Sequence, residues 1–340
     1  MLTNNDIKKY DSSNMFDAIK YTYKQIEDAL SIINSFNAKI SSYDNVIICG
    51  MGGSAIGGDF ISNILLNEAQ IPIVVNRNYD LPNWVNLNTF VILCSYSGNT
   101  EETISCYNLS KNKTKHHLII SSGGFLLDEA INNNIPFIKL IPGLQPRAAF
   151  GYSSSLLLLA LEKLNISNNS YTNILEKTKD SLKEMSSELS NISDNNIAIK
   201  IAKNIYNKFI VIYGTPITQV VSLRFRGQLA ENSKLLSMHN TLPEQNHNEI
   251  EGFVDQNDTV IVWIEDIADN VKNKKRIKHT SEVLNNIHEQ IFCSQTGDHI
   301  LERMYKNILF FDWVSFYAAI FNKVDPTPVN NIIKLKKLLS

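Results

Sequence analysis

The stretch VIICGMGGSA, residues 46–55, decides the fold class. Its first four residues form a short continuous apolar run, which is typical of a strand buried on both faces of a sheet. The run ends in a glycine-rich turn of the form G-x-G-x-x-A, and a helix-compatible segment follows at 55–67. The stretch therefore predicts a strand, a tight turn and a helix, the repeating unit of a parallel α/β sheet.

Short apolar runs continue to alternate with helical patterns along the chain. The further predicted strands are 71–75, 91–94, 118–120, 136–140, 209–213, 259–264 and 291–293. The further predicted helices include 100–109, 126–132, 197–207, 217–231 and 299–321. We therefore predict an α/β protein with two subdomains, 1–165 and 166–340. Each is expected to be a parallel sheet flanked by helices in flavodoxin- or Rossmann-like layers.

The composition of the 340 residues argues against several classes of protein. The chain has 32 basic and 34 acidic side chains, so a formal charge of −2 gives no pull toward nucleic acid or anionic membrane. No apolar run reaches the roughly 18 residues of a membrane helix, and residues 1–10 lack the apolar core of a secretion signal. The four cysteines form no C-x-x-C pair. We therefore expect a cytoplasmic protein with buried thiols and neither a nucleic-acid nor a membrane partner.

The glycine-rich turn by itself leaves its ligand open. Glycines let the backbone approach a ligand closely, and the N-terminus of the following helix attracts anions. A nicotinamide dinucleotide site also needs an acidic residue about 20 residues further on, where the second strand ends. That strand ends in Val75, Asn76 and Arg77, so the acid is missing, although Arg77 would suit a 2′-phosphate. A dinucleotide, a smaller phosphate and a plain tight turn all remain open at this point.

A serine-rich turn, SYSGNT at residues 95–100, follows the third predicted strand and precedes a helix. Ser95, Ser97 and Thr100 would surround one compact anion with neutral donors, beside the unpaired backbone N–H groups at the helix start. The alternative is helix capping by Ser97, Asn99 or Thr100. Capping needs only one such side chain, so three hydroxyls next to a glycine-rich turn favour phosphate binding.

The two turns together resemble those of a sugar isomerase (SIS) domain, with Gly-Gly-Ser in one turn and Ser-x-Ser-Gly-x-Thr in the next. In that family the two turns bind the phosphate of a phosphosugar. The resemblance implies two SIS-type subdomains and a phosphate site built from the residues that match the motif. These residues are Gly53, Ser54, Ser95, Ser97 and Thr100. Because no second nucleotide moiety is expected in such a site, the resemblance disfavours the nicotinamide interpretation.

Three further segments resemble the bifunctional phosphoglucose/phosphomannose isomerase family, and the resemblance extends from about residue 44 to the C-terminus. The segments are PRAAFGY (146–152), AENSK (230–234) and PEQNHNE (243–249). The resemblance implies an intramolecular oxidoreductase of glycolysis and gluconeogenesis that interconverts glucose 6-phosphate and mannose 6-phosphate with fructose 6-phosphate. It also implies that Glu231 is the catalytic base, that His247 opens the sugar ring, and that Arg147 is a substrate-binding cation.

The chemistry of aldose–ketose isomerisation needs these residue types. A carboxylate whose pKa is raised toward neutrality can move a proton between C1 and C2 through a cis-enediol(ate), and Glu231 is long enough to reach both carbons. A histidine titrating near pH 7 can open the ring, and a guanidinium can stabilise the enediolate oxygens. No metal and no redox cofactor is required. The alternatives are a solvated helix end for Glu231, a surface loop for His247 and a surface ion pair for Arg147.

The resemblance also places a catalytic lysine in the C-terminal helix, predicted at 330–339. At about 100° per residue, Lys336 shares a face with Ile332, so Lys336 is our choice as an inward-facing lysine, and Lys334 is the alternative. The family forms homodimers, so we expect a dimer in which His247 reaches the partner chain's site. A non-catalytic phosphosugar sensor and an SIS isomerase of amino-sugar phosphates are the competing functions.

Overall fold

The structure is a computed structural model that describes residues 2–37, 41–167, 169–253, 258–285 and 289–339. The chain divides into two compact units. We call Tyr21–Asp180 the N unit, and Met1–Lys20 together with Ser181–Ser340 the C unit. Each unit is built on one parallel sheet flanked by helices, which confirms the predicted α/β class.

The helices and strands follow the alternation that the sequence predicts. The strands are β1 (Asn45–Cys49), β2 (Ile73–Asn76), β3 (Thr89–Cys94), β4 (His117–Ser121), β5 (Phe137–Lys139), β6 (Phe209–Gly214), β7 (Ser237–Thr241), β8 (Thr259–Glu265) and β9 (Glu289–Ser294). The helices are α1 (Asn4–Tyr10), α2 (Met15–Lys20), α3 (Thr22–Ile32), α4 (Gly52–Ile64), α5 (Glu101–Ser110), α6 (Gly124–Asn132), α7 (Phe150–Lys163), α8 (Thr172–Leu189), α9 (Ile197–Ile205), α10 (Gln219–Gln228), α11 (Val271–Leu284), α12 (Ile300–Phe321) and α13 (Asn330–Leu339). Short 3₁₀ helices span Ile33–Ser35, Pro146–Ala148, Glu244–His247 and Glu249–Gly252, and a π-helix spans Leu229–Ser233.

The N unit holds a five-stranded sheet in the order β2-β1-β3-β4-β5. All neighbouring strands are parallel, and Cys49 at the end of β1 pairs with Leu93 of β3. Every residue of β3 and β4 is buried, which explains their continuous apolar character. The parallel order brings the carboxyl ends of β1 and β3 to one edge of the sheet, where the two turns of interest begin.

The C unit holds a four-stranded parallel sheet in the order β7-β6-β8-β9. Helix α12 is buried along almost its whole length, and its Trp313 ring stacks on Tyr317 with centroids 5.5 Å apart. Strand β7 was not predicted, because its sequence SMHNT is polar and lacks the apolar run of the other strands. It lies at the sheet edge and is half-buried throughout, so it lacks the continuous apolar run of a strand buried on both faces.

The boundary between the units differs from the predicted division at residues 165 and 166. Residues 166–180 belong to the N unit, where the Tyr171 backbone N–H donates to Glu162 (3.0 Å) and its phenol donates to Glu68. The first 20 residues belong to the C unit, where Phe16 packs edge-on against Trp313 at 4.9 Å. Neither contact can be inferred from the local composition, on which the predicted boundary was based.

A buried histidine in the N unit predicts acid sensitivity. The ring of His117 accepts or donates one hydrogen bond with the Ser110 hydroxyl at 2.9 Å, and burial, with a smaller effect of His116, lowers its pKa from 6.5 to about 4. As the pH falls from 6.5, the unfolded chain therefore binds a proton at this histidine before the folded chain does. The contribution of His117 to the free energy of unfolding declines until about pH 4. The loss amounts to about 3 kcal/mol.

We expect His117→Gln, which stays neutral, to reduce that loss when free energies of unfolding in urea are compared between pH 7 and pH 4. An unchanged difference between the two pH values would contradict this role of His117.

Candidate active site

The glycine-rich turn after β1 has no room for a side chain at Gly53. A Cβ atom there would lie 2.6 Å from the carbonyl oxygen of Pro146 and 3.0 Å from the backbone nitrogen of Arg147. Gly52 has a left-handed φ of +48°, which glycine adopts without strain. The two glycines thus allow the turn to pass directly against the Pro146–Ala148 segment, a contact between residues almost a hundred positions apart.

Arg147 is buried next to this turn, with a relative exposure of 4%. Its 3₁₀ segment is fixed from the other side, since the Gln25 side-chain amide donates to the Ala148 carbonyl at 2.7 Å. A guanidinium stays charged at any physiological pH and is seldom buried without partners. The structure therefore places Arg147 beside Gly53, and the surface ion pair considered as an alternative is not its setting.

Ser54 connects the two predicted phosphate turns. Its hydroxyl accepts a hydrogen bond from the backbone N–H of Tyr96 at 3.2 Å. Ser54 lies at the start of α4, whose N-cap residue Met51 makes no side-chain capping bond within the described ranges. The backbone N–H groups at the start of α4 consequently face the same edge of the sheet as the serine-rich turn.

The hydroxyls of the serine-rich turn lie together. The Ser95 and Thr100 hydroxyl oxygens are 2.7 Å apart, and Ser95 accepts from the Gly98 N–H at 3.1 Å. Ser97 accepts from the Asn99 N–H at 3.2 Å and is exposed. Thr100 is the N-cap residue of α5, yet in the described structure its side chain makes no capping hydrogen bond. The capping interpretation therefore does not account for Thr100.

A third loop, residues 121–124, lines the serine-rich turn and was not singled out from the sequence. A Cβ atom on Gly98 would lie 1.7 Å from the Gly123 carbonyl oxygen, and Gly98 has a φ of +71°. The Ser122 hydroxyl donates to the Tyr96 carbonyl at 2.6 Å. The sequence signal was present, since SSGG (121–124) joins the end of β4 to the start of α6, as the other two turns join a strand to a helix. Three consecutive strand-to-helix turns thus meet in the N unit.

Glu231 lies on the π-helix Leu229–Ser233, which follows α10. Its side chain is half-buried, so the solvated helix end considered above is not its setting. The next two residues are buried and bonded to α12, since the Asn232 amide donates to the Ser315 hydroxyl (3.0 Å) and the Ser233 hydroxyl donates to the Ser315 carbonyl (2.6 Å). Single-turn π-helices are frequent at functional sites, because the extra residue redirects a side chain.

The helix that leads to Glu231 is anchored by a buried ion pair. Arg224 of α10 donates to the Asp312 carboxylate of α12 at 2.7 Å, and Gln228 donates to the second carboxylate oxygen at 2.8 Å. Both charged side chains are nearly inaccessible to solvent. The chain leaves the π-helix through Lys234, which has a left-handed φ of +59° and donates to the Pro328 carbonyl at 2.8 Å. Glu231 therefore projects from a rigidly held turn.

His247 ends the 3₁₀ helix Glu244–His247, and its side chain is exposed. Its neighbours are hydrogen-bonded: Asn246 donates to the Thr280 hydroxyl at 2.8 Å, and Glu249 accepts from the Tyr213 phenol at 2.9 Å. The hydrogen bonds hold the residues around His247, while the imidazole itself faces outward.

Lys336 does not face inward. All the described residues of α13 are exposed, including Ile332 (43%) and Leu335 (56%), with which Lys336 was expected to share a buried face. The helical period was correct, but no part of the described chain covers that face. The choice of Lys336 over Lys334 rested on that shared face, so the structure gives it no support.

Among the described residues of the C unit, the turns after β6 and β8 lack the glycine and serine clusters of the N-unit turns. Arg303 donates two hydrogen bonds to the Asp266 carboxylate, at 2.8 and 2.9 Å, just beyond β8. The hydroxyl of Thr218 donates to the Ile264 carbonyl at 2.7 Å and lies in the turn after β6.

Among the residues that the structure describes, no three His, Cys, Asp or Glu side chains are grouped as a metal site. None of the described helices is long and apolar enough to cross a membrane.

The sequence is 35% identical to the bifunctional phosphoglucose/phosphomannose isomerase of Caldicellulosiruptor bescii, and the match covers 96% of this chain and 99% of that protein. This chain belongs to the bifunctional phosphoglucose/phosphomannose isomerase family. A protein of the same name from Aquifex aeolicus is 32% identical over 88% of this chain and 92% of its own length. Membership in this family confirms the predicted resemblance.

Two further comparisons agree with the family assignment at the level of domains and fold. Residues 194–339 match the model of the bacterial phospho-glucose isomerase C-terminal SIS domain. A putative phosphosugar isomerase from Clostridium difficile has a similar solved structure, with a TM-score of 0.74, 18% identity and coverage of 95% of this chain and 97% of that one. At that identity the likeness concerns the fold, and it confirms the SIS-type architecture.

Proposed function

We infer that this protein is an isomerase that interconverts glucose 6-phosphate and mannose 6-phosphate with fructose 6-phosphate. The observation that carries this inference is the near full-length match to family members named for both activities. The same match disfavours a non-catalytic phosphosugar sensor, because the named relatives are enzymes.

The N unit supplies a suitable phosphate site. Gly53, Ser54, Ser95, Ser97 and Thr100 lie on two turns that share a hydrogen bond from Tyr96 to Ser54. The starts of α4 and α5 add backbone N–H groups and the positive ends of two helix dipoles. We propose that these neutral donors hold the phosphate dianion, with the buried Arg147 guanidinium nearby to balance its charge or that of the enediolate.

The C unit supplies the proposed proton-transfer groups. We propose that the Glu231 carboxylate removes the C2 proton of the aldose, which gives the cis-enediol(ate), and then returns a proton to C1 to complete the ketose. His247 takes the anomeric hydroxyl proton and gives one to the ring oxygen, so that the ring opens beforehand. Lys336 is proposed as a third catalytic group. Both C2 epimers react if the enediolate can rotate about C2–C3 before the proton returns.

We propose a homodimer in which His247 completes the partner chain's site, and a cytoplasmic location. The outward-facing imidazole supports the first proposal, since a ring-opening group must be able to reach the substrate. The exposed apolar residues of α13 are compatible with burial against a second chain.

An assay of three separate substrates tests the proposed function. Glucose 6-phosphate, mannose 6-phosphate and glucosamine 6-phosphate are each supplied to the protein, and formation of fructose 6-phosphate is followed. We expect turnover of the first two only. Binding without turnover would identify a sensor, and turnover of glucosamine 6-phosphate alone would identify an amino-sugar enzyme.

The serine-rich turn gives a prediction about substrate binding. Removing both hydroxyls in Ser97→Ala/Thr100→Ala is expected to raise KM for either aldose phosphate by about 10- to 100-fold, because two hydrogen bonds to a charged group are lost. The value of kcat should change by less than about threefold, since neither hydroxyl contacts the reacting carbons. Ser187→Ala, on the exposed side of α8, is the control. An unchanged KM would assign Ser97 and Thr100 to loop structure.

A further inference from the structure

The short turn that carries His247 is held on its N-terminal flank by helix α11. Asn246, the residue before His247, donates through its side-chain amide to the Thr280 hydroxyl at 2.8 Å. The Arg276 guanidinium donates to the Asn246 side-chain carbonyl at 3.2 Å. Arg276 and Thr280 are four residues apart and lie on one face of α11. Both polar atoms of the Asn246 side chain are therefore fixed by the same helix.

The opposite flank of the turn is held by the sheet. Glu249 accepts from the Tyr213 phenol of β6 at 2.9 Å and from the Asn240 amide of β7 at 2.7 Å. Burial and the Glu249 carboxylate both raise the pKa of Tyr213, so the phenol stays protonated and remains a donor at neutral pH. Glu249 is thus a carboxylate occupied on both oxygens by neutral donors.

The groups that hold the turn are themselves rigid. Tyr213 is 1% exposed and packs in a core cluster with Trp263 and with Ile277 of α11. Thr280 is 5% exposed and lies one turn after Ile277. In contrast, His247 lies between the two held residues and is exposed. Four polar side chains from three elements therefore hold the residues on either side of His247: Arg276, Thr280, Tyr213 and Asn240. The hydrogen bonds within a short 3₁₀ helix would hold this surface turn much less firmly.

We propose that Thr280, through Asn246, and Tyr213, through Glu249, are positioning residues that hold the His247 backbone for ring opening. The proposal rests on the proposed function, in which His247 transfers the ring-opening proton. Proton transfer requires heavy atoms within hydrogen-bond reach, and a displacement of about 1 Å can lower a rate by about 10²-fold. The hydrogen bonds at both flanks limit such a displacement in an otherwise exposed turn.

The test separates ring opening from isomerisation. Fructose 6-phosphate must be opened before it reacts, whereas 5-deoxyfructose 6-phosphate lacks the ring-closing hydroxyl and is already open. Thr280→Val preserves shape and removes the hydroxyl, and Tyr213→Phe does the same for the phenol. We expect each variant to lower kcat on fructose 6-phosphate by about tenfold, with kcat on the open analogue and both KM values within about twofold of the wild type.

Two further variants distinguish loss of the Thr280 hydroxyl from a general disturbance of α11. Thr280→Ser retains the hydroxyl and should restore most of the activity. Ser281→Ala removes a neighbouring hydroxyl, which in the described part of the chain donates to the Lys278 carbonyl within α11, and should keep wild-type kcat on both substrates. His247→Gln should show the same substrate split in a stronger form. Equal losses on both substrates in Thr280→Val, or no loss on either, would overturn the positioning role. Failure of the wild type to turn over either substrate, or wild-type activity of His247→Gln on fructose 6-phosphate, would instead overturn the proposed function.

Discussion

Replacing Glu231 by glutamine is expected to lower kcat for glucose 6-phosphate and mannose 6-phosphate alike by about 10³-fold or more. Glutamine keeps the size of the side chain but cannot accept the C2 proton, so the enediolate does not form. Binding of a sugar phosphate should change by less than about twofold, because the phosphate is proposed to be held by the N-unit turns. Loss of both aldose activities together is the important feature, since one base is proposed to serve both epimers.

The measurement pairs steady-state kinetics with calorimetric binding of fructose 6-phosphate. Glu251→Gln, which changes an exposed carboxylate of the 3₁₀ helix Glu249–Gly252, is the control and should keep wild-type kcat. A Glu231→Gln variant that retains substantial turnover would remove Glu231 as the base. Unequal losses on the two aldoses would require a second base.

The second large effect concerns stability. Asp312→Ala is expected to reduce the free energy of unfolding by about 3–5 kcal/mol, because it leaves the buried Arg224 without its carboxylate. It also removes the acceptor for Gln228 at the end of α10, directly before the π-helix that carries Glu231. The remaining folded protein should therefore show a reduced kcat as well.

Urea unfolding of the variant measures this effect. The control is Glu282→Ala, which removes an exposed carboxylate that lies 2.9 Å from the His279 ring and 4.0 Å from Lys278. This change should alter the free energy of unfolding by at most about 1 kcal/mol. Equal losses in the two variants would show that the Arg224–Asp312 pair does not anchor α10.

Much of the fold could be predicted because its strands are buried on both faces. Strands β1 and β3 are continuous apolar runs, and the glycine-rich turn between β1 and α4 marks the change from strand to helix. Strand β7 could not be found in this way, since a half-buried edge strand imposes no apolar pattern. The unit boundary depended on tertiary contacts such as that between Phe16 and Trp313, which local composition does not encode.

The residue types of the candidate site could be proposed from the sequence, but the contacts and the exposure of each side chain could not. The turns of the N unit were identified from hydroxyls and glycines, whereas the contact of Gly53 with the Pro146–Arg147 segment needed the folded chain. The π-helix at Glu231 is a change in backbone hydrogen bonding, and the sequence LAENS has no feature that predicts it. Lys336 was placed by helical period alone, which fixes a shared face but not what covers it.

Nuclear magnetic resonance of a single reaction shows whether one carboxylate, that of Glu231, serves both aldoses. Wild-type protein is mixed with [2-¹³C]fructose 6-phosphate, and the labelled products are followed to equilibrium beside a Glu231→Gln sample. We predict that C2 signals of both glucose 6-phosphate and mannose 6-phosphate grow in the wild-type sample and that neither grows with the variant on the same time scale. Formation of no aldose, or of only one of the two by the wild type, would contradict the account.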